Sequence, residues 1–163
     1  MADYTITMEN QTIVADATLI IVRAATALAS RGSILEVLRI NVSQQGTTTA
    51  QQLGIILAQK ASAFGTYTST TPAPKVITGV ASGITGSTSG AAASAGTDAS
   101  AEGAGAVTTN KAEGFNNLSG YLWVPTPEER IIVATDVAFI VKLRGTPTTL
   151  TGWNAYLEYR EIA

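Results

Sequence analysis

The sequence contains neither cysteine nor histidine. With them go disulfide bonds, thiolate chemistry, the usual zinc and iron ligands, and every catalytic triad that needs an imidazole base. Charge is scarce as well: 13% of the residues are Asp, Glu, Lys or Arg, about half the usual share of roughly 25%. The net charge of −2 and the single, scattered arginines Arg23, Arg31, Arg39, Arg130, Arg144 and Arg160 leave no electrostatic footprint for nucleic acid. The most apolar early stretch, Ala17 to Ala29, is interrupted by Arg23 and falls short of the ~20 residues that span a bilayer. At the start, Met-Ala-Asp-Tyr-Thr places an acid where a secretion signal carries basic residues, so the expectation is a chain made in the cytoplasm and not bound to membrane.

What is present is an ordinary share of hydrophobic residues, 45% of 163, enough for one domain with a real core. Much of the surface must then be Ser, Thr, Gln, Asn, Ala and Gly, a weakly hydrated surface of the kind that ends up against other protein.

Alternation of apolar and polar residues dominates the pattern. Tyr4, Ile6 and Met8 alternate with Thr5 and Thr7, a strand with one buried face. Leu19 to Val22 is a continuous β-branched run suited to a strand buried on both faces. Leu38, Ile40 and Val42 oppose Arg39, Asn41 and Ser43. Leu53, Ile55 and Leu57 read as a strand, although Leu53, Ile56, Leu57 and Lys60 also fit a helical face; Gly54 tips the balance, since glycine weakens a helix by about 1 kcal/mol relative to alanine. Lys75 to Thr78 suits a short strand and Val107 to Thr109 the start of another. Val137, Phe139, Val141 and Leu143 form a half-buried strand, and Trp153, Ala155, Leu157 and Tyr159 line one face of the last. With turn signals between strands and no βα alternation, the fold class is all-β: an antiparallel β-sandwich of the jelly-roll type.

Residues 79–106 stand apart as a low-complexity run of Gly, Ala, Ser and Thr. With so few groups to bury, this run cannot offset an ordering cost of ~1–2 kcal/mol per residue. It is expected to be a flexible insertion, a loop or arm that orders only against a partner, with Val80, Ile84 and the following Val107 as its contact residues.

Little else carries chemistry. Glu128 and Glu129 are the only close acidic pair, and adjacent carboxyls rarely converge across the ~5–9.5 Å of a glycosidase site. Thr126-Pro127-Glu128-Glu129 instead predicts a capped helical turn, with the Glu129 carboxylate reaching back to Thr126. It follows Tyr121 to Val124, a strand expected to be covered on both faces and stopped by Pro125. The glycines of 83–90 lack the Lys-Ser/Thr of a phosphate loop. Tyr67 and Tyr156 are the aromatic residues that could sit exposed under a sugar or another subunit. No cofactor, no metal and no enzymatic role is expected.

The run Tyr121-Leu-Trp123-Val-Pro125-Thr126-Pro127-Glu-Glu129-Arg130, with the Val137 to Leu143 strand and the closing Tyr156-Leu-Glu158-Tyr, resembles a family of small proteins of tailed-phage and prophage genomes. Members open with a Tyr-Thr-Ile-Thr-like strand, carry a Ser-Gln loop like Ser43-Gln44, and have a variable Gly/Ser/Thr-rich middle. The likeness spans most of the chain, with Trp-x-Pro-Thr-Pro-Glu-Glu-Arg its specific part; residues 79–106 depart from it, being longer and richer in alanine. The resemblance implies a β-sandwich virion component, a capsid decoration or cement protein on the outside of the head, with the major capsid protein as partner and a homotrimer as its assembled form. The alternative is a tail or tail-tip jelly roll that binds carbohydrate or another virion protein.

Overall fold

A computed structural model describes residues 2–27, 30–76 and 79–162. The first half of the chain forms β1 (Ala2–Gln11), β2 (Thr18–Arg23), β3 (Leu35–Gln44), β4 (Gln52–Lys60), β5 (Gly65–Ser69) and the two-residue β6 (Ala73–Pro74). The second half forms β7 (Thr85–Gly86), β8 (Ser94–Glu102), β9 (Val107–Asn116), β10 (Tyr121–Trp123), β11 (Ile132–Val133), β12 (Ala138–Arg144) and β13 (Trp153–Glu161), with a 3-10 turn at Pro127–Glu129. Of the short strand expected at Lys75 to Thr78, Lys75 and Val76 form a bend just after β6, and the last two residues lie outside the described ones.

Two sheets result. One runs β10-β3-β13-β1-β6, with β11 also on β3; the other runs β5-β8-β2-β12-β4-β9, with β7 also on β8. Eight of these strands pair as one long antiparallel hairpin rolled up on itself: β1 with β13, β2 with β12, β3 with β10, and β4 with β9. Pairing of β13 with β3 and of β12 with β4 then closes each sheet. That order is the jelly roll. The segment from β5 to β8 is an insertion between the fourth and fifth strands of the roll, and it widens the second sheet beyond β2.

The core forms where the alternating residues meet. Tyr4, Ile6 and Met8 from β1, Leu53, Ile55 and Leu57 from β4, and Trp153, Leu157 and Tyr159 from β13 all point into it. Residues 52–60 are therefore strand throughout. In β2, Leu19, Ile20, Ile21 and Val22 are all buried, because the second sheet is covered on its outer face too. There Phe64 and Tyr67 pack on Ile21, Ala58, Ala99, Ala138 and Ile140 as a small second core. The same cover corrects the reading of Val137 to Leu143 as half-buried: Ala138, Phe139, Ile140 and Val141 in β12 are all buried. The periodicity of β3 is corrected at one position. Arg39 pairs with Glu158 and Val37 with Tyr159, which leaves Leu38 as the extra residue of a β-bulge. Val37, not Leu38, points inward with Ile40 and Val42, since a bulge shifts the inward face by one residue.

The reading of residues 79–106 as a loop or arm is corrected in the same way. Ser94 to Glu102 is a strand seated between β5 and β2, and Ser94, Ala95, Thr97 and Ala99 are buried. Thr85 and Gly86 run parallel to its start. Small side chains bury little area each, but they let neighbouring backbone come close, and the ladder satisfies the backbone polar groups.

Candidate interaction surface

The segment from Tyr121 to Ile132 runs along one edge of the first sheet. Tyr121 and Trp123 point into the core, 7% and 9% exposed. The Tyr121 ring meets Phe115 edge-on at 6.0 Å between centroids, and its hydroxyl donates to the Glu113 carboxylate at 2.9 Å. Burial, and then that acceptor, push the Tyr121 hydroxyl well above its ordinary pKa. Pro125 ends β10. The turn closes as a capping box: the Thr126 N–H and hydroxyl both donate to Glu129 at 3.3 Å, and the Glu129 N–H bonds the Thr126 carbonyl at 3.0 Å. Glu128 is exposed beside it.

Arg130 ties this turn to the sheet. Its guanidinium pairs with Glu36 at 3.1 Å; Glu36 also meets Arg160 at 3.5 Å, and Arg160 meets Asp3 at 2.7 Å. A row of alternating charges thus crosses β3, β13 and β1 on the outer face of the first sheet. The hydrogen bond from Arg160 holds the Asp3 carboxyl below its ordinary value of 3.8. A depressed acid contributes stability that is fully present above the unfolded pKa and lost as pH falls through the lower folded one. Asp3→Asn should therefore lower the unfolding midpoint at neutral pH, and the gap from wild type should close as the pH drops below about 3.8. A gap that is constant with pH in a thermal melt series would show that the pairing contributes nothing.

The outward side of this edge overturns the expectation that β10 is covered on both faces. Leu122 is 57% exposed, Val124 62%, and Ile132, on β11, 48%. Leu122 stands across from Asn41 and Ile132 across from Glu36, so both share the outer face of the first sheet. The inserted segment packs on the outer face of the second sheet; on the first sheet its Lys75 pairs with Glu158 on the outer face, while the edge with Leu122 and Ile132 stays exposed. Residue type alone carries no sign of which outer face is covered.

The three contact residues expected of the low-complexity run fall apart. Ile84 is 1% exposed and belongs to the main core, so it is not available to a partner. Val80 is 60% exposed, its carbonyl accepting from the Tyr4 hydroxyl at 3.0 Å. Val107 is 44% exposed and begins β9, paired with Lys60 in the other sheet. Between the two, Ser82 donates to Glu161 and the Gly83 N–H bonds the same carboxylate at 3.0 Å. Those bonds fix the segment to β13.

Of the two tyrosines, Tyr67 is 3% exposed and is core rather than surface. Tyr156 is half-buried on the outer face of the first sheet, with Asn41 and Thr7 across from it on the flanking strands. An open groove of about 380 Å³ lies on the second sheet, where Gly54 and Gly114 face each other beside Ala112 and Arg144. Its one acid, Glu113, is held by Lys111 and Tyr121, which leaves no second carboxylate for acid–base work. No group of three or more acidic side chains that could hold a metal occurs among the described residues, and no described helix is long and apolar enough to cross a membrane.

No family model matches the chain, and no match is found among curated proteins or solved structures.

Proposed function

We propose that this chain is a structural protein of a virion, a decoration protein that binds the outside of a tailed-phage head. The observation that carries this reading is the exposed apolar edge of Leu122, Val124 and Ile132, which lies within the segment that resembles the phage family. Large aliphatic side chains held outward on a sheet edge suit burial against another protein. The major capsid protein is the partner under this reading and a homotrimer the assembled form. Binding across junctions between capsid subunits adds buried area that must be lost before the subunits separate, and so stabilises the shell by mass action.

Leu122→Asp combined with Val124→Asp tests it. Both side chains are more than half exposed, so the melting temperature should stay within a few degrees. Occupancy on heads of the encoding phage, measured by co-sedimentation, should fall at least tenfold, because a charge would be buried without a partner (about 1.4 kcal/mol or more). Unchanged occupancy would remove this edge from the contact.

A carbohydrate-binding role at a tail is the second reading. Tyr156 favours it, an aromatic ring beside Asn41 and Thr7 on an open sheet face. Glycan-array binding without head binding would select this reading.

A further inference from the structure

β9 is unusual for a strand of ten residues. It is the last strand of the second sheet, paired on one side only, with β4. From Val107 to Gly114 no residue is buried on either face; the first sheet meets β9 through Tyr121, at Glu113 and Phe115, and the inserted segment joins the other end of the second sheet. A long strand that gains this little from the core leaves a row of unpaired backbone N–H and C=O groups open to another chain.

The charges on β9 say which chain. Lys111 and Glu113 are two residues apart and so share a face, and they form an ion pair of 2.8 Å within the strand. If a second copy of β9 pairs antiparallel about a two-fold axis, opposite residues share a face, so the axis must pass through a residue. With the axis at Lys111, lysine faces lysine; with the axis at Glu113, glutamate faces glutamate. With the axis at Ala112, each Lys111 faces the other copy's Glu113, and four charges alternate in sign across the junction. Ala112 then faces its own copy and Asn110 faces Gly114, small or polar side chains that leave the backbones free to approach. Lysines and bulges also serve to keep edge strands apart, and Asn110 is the unpaired residue of a bulge between Leu57 and Ala58. Here the neighbouring glutamate turns that guard into a selector of one register.

We infer that two copies of this chain join through β9, antiparallel and centred on Ala112, making one continuous sheet from their two second sheets. The inference does not rest on the virion reading, and it concerns a different edge from Leu122 and Val124; head binding and native mass report on the two separately. The contact makes a dimer of single chains, or a hexamer if it joins two trimers.

Native mass by light scattering of the purified full chain is the test, with wild type, Lys111→Glu, Glu113→Lys and the double exchange run side by side. Each single variant places like charges opposite one another and should halve the native mass; the double exchange restores opposite charges and should restore it. Lys111 and Glu113 are 36% and 42% exposed, so Lys111→Glu should melt within a few degrees of wild type; Glu113→Lys and the double exchange also take the acceptor from the Tyr121 hydroxyl and should melt several degrees lower while staying folded, which circular dichroism checks. A wild-type monomer at several hundred micromolar, a trimer that the single variants leave intact, or a double exchange that stays at half mass would each overturn the inference.

Discussion

Trp153→Ala should remove about 3–5 kcal/mol of stability, a fifth or more of the ~5–15 kcal/mol typical of a whole domain. Trp153 is 0% exposed, the largest fully buried side chain, at the start of β13. Its neighbours in the sheet are Gln44 on β3 and Gln11 on β1, and its indole N–H donates to the Thr149 carbonyl at 3.1 Å. Truncation therefore leaves a cavity between strands that cannot collapse without breaking the central pairing of the first sheet, and it leaves a carbonyl without its donor. In a chain of this size each kcal/mol is worth roughly 2–4 °C, so the thermal midpoint should drop by about 6–20 °C. A drop of less than about 2 °C would mean that the indole is not in the core.

A second large effect is expected where composition suggests none. Gly103→Ala should cost roughly 2–4 kcal/mol, while Gly114→Ala should fall within about 0.5 kcal/mol of wild type. A methyl group on Gly103 would lie 1.7 Å from the Ala63 carbonyl oxygen and would also crowd the Gly65 nitrogen, both of them backbone atoms that cannot swing aside. The same glycine's carbonyl accepts from the Lys60 ammonium at 2.7 Å. Lys60 is 2% exposed, and its burial lowers its pKa. Moving Gly103 therefore strips a buried cation of its acceptor as well as straining the turn. A methyl group on Gly114, by contrast, would meet only the Leu53 carbonyl oxygen, at 3.8 Å. Urea unfolding of the two variants separates these cases; equal midpoints would show that residues 103–105 behave as an ordinary linker.

Gly103 also shows why part of this fold was legible in the sequence and part was not. Strands whose inward residues are large can be read directly, as with Leu53, Ile55 and Leu57 or Trp153, Leu157 and Tyr159, because period-two alternation is itself the signal. β8 is built from Ser94, Ala95, Gly96, Thr97 and Ala99. Its ordering comes from ladder bonds and close backbone approach, which leave no trace in hydrophobicity. β9 lacks alternation because neither of its faces is buried over most of its length. Leu38 was misplaced because a bulge changes the phase without changing the residue type. At the candidate surface, the capping box over Thr126 and Glu129 could be read locally, since its partners are three residues apart. The anchor of Arg130 on Glu36 could not, as it joins residues 94 apart in sequence.

The pairing of β1 with β13 sets the order of events by which the protein must form. Ala2 lies opposite Glu161 and Tyr4 opposite Tyr159, so β1 is made well before the strand that becomes its main neighbour. Every other pair in the roll is nested inside that one, with β4 and β9 innermost among the eight. Loops this long must close before their contacts reward closure, which places the chain among the slow, millisecond-to-second folders. Until β13 is made, β1 has an open edge in a crowded cell, and this is the interval in which a chaperone would matter most to its yield.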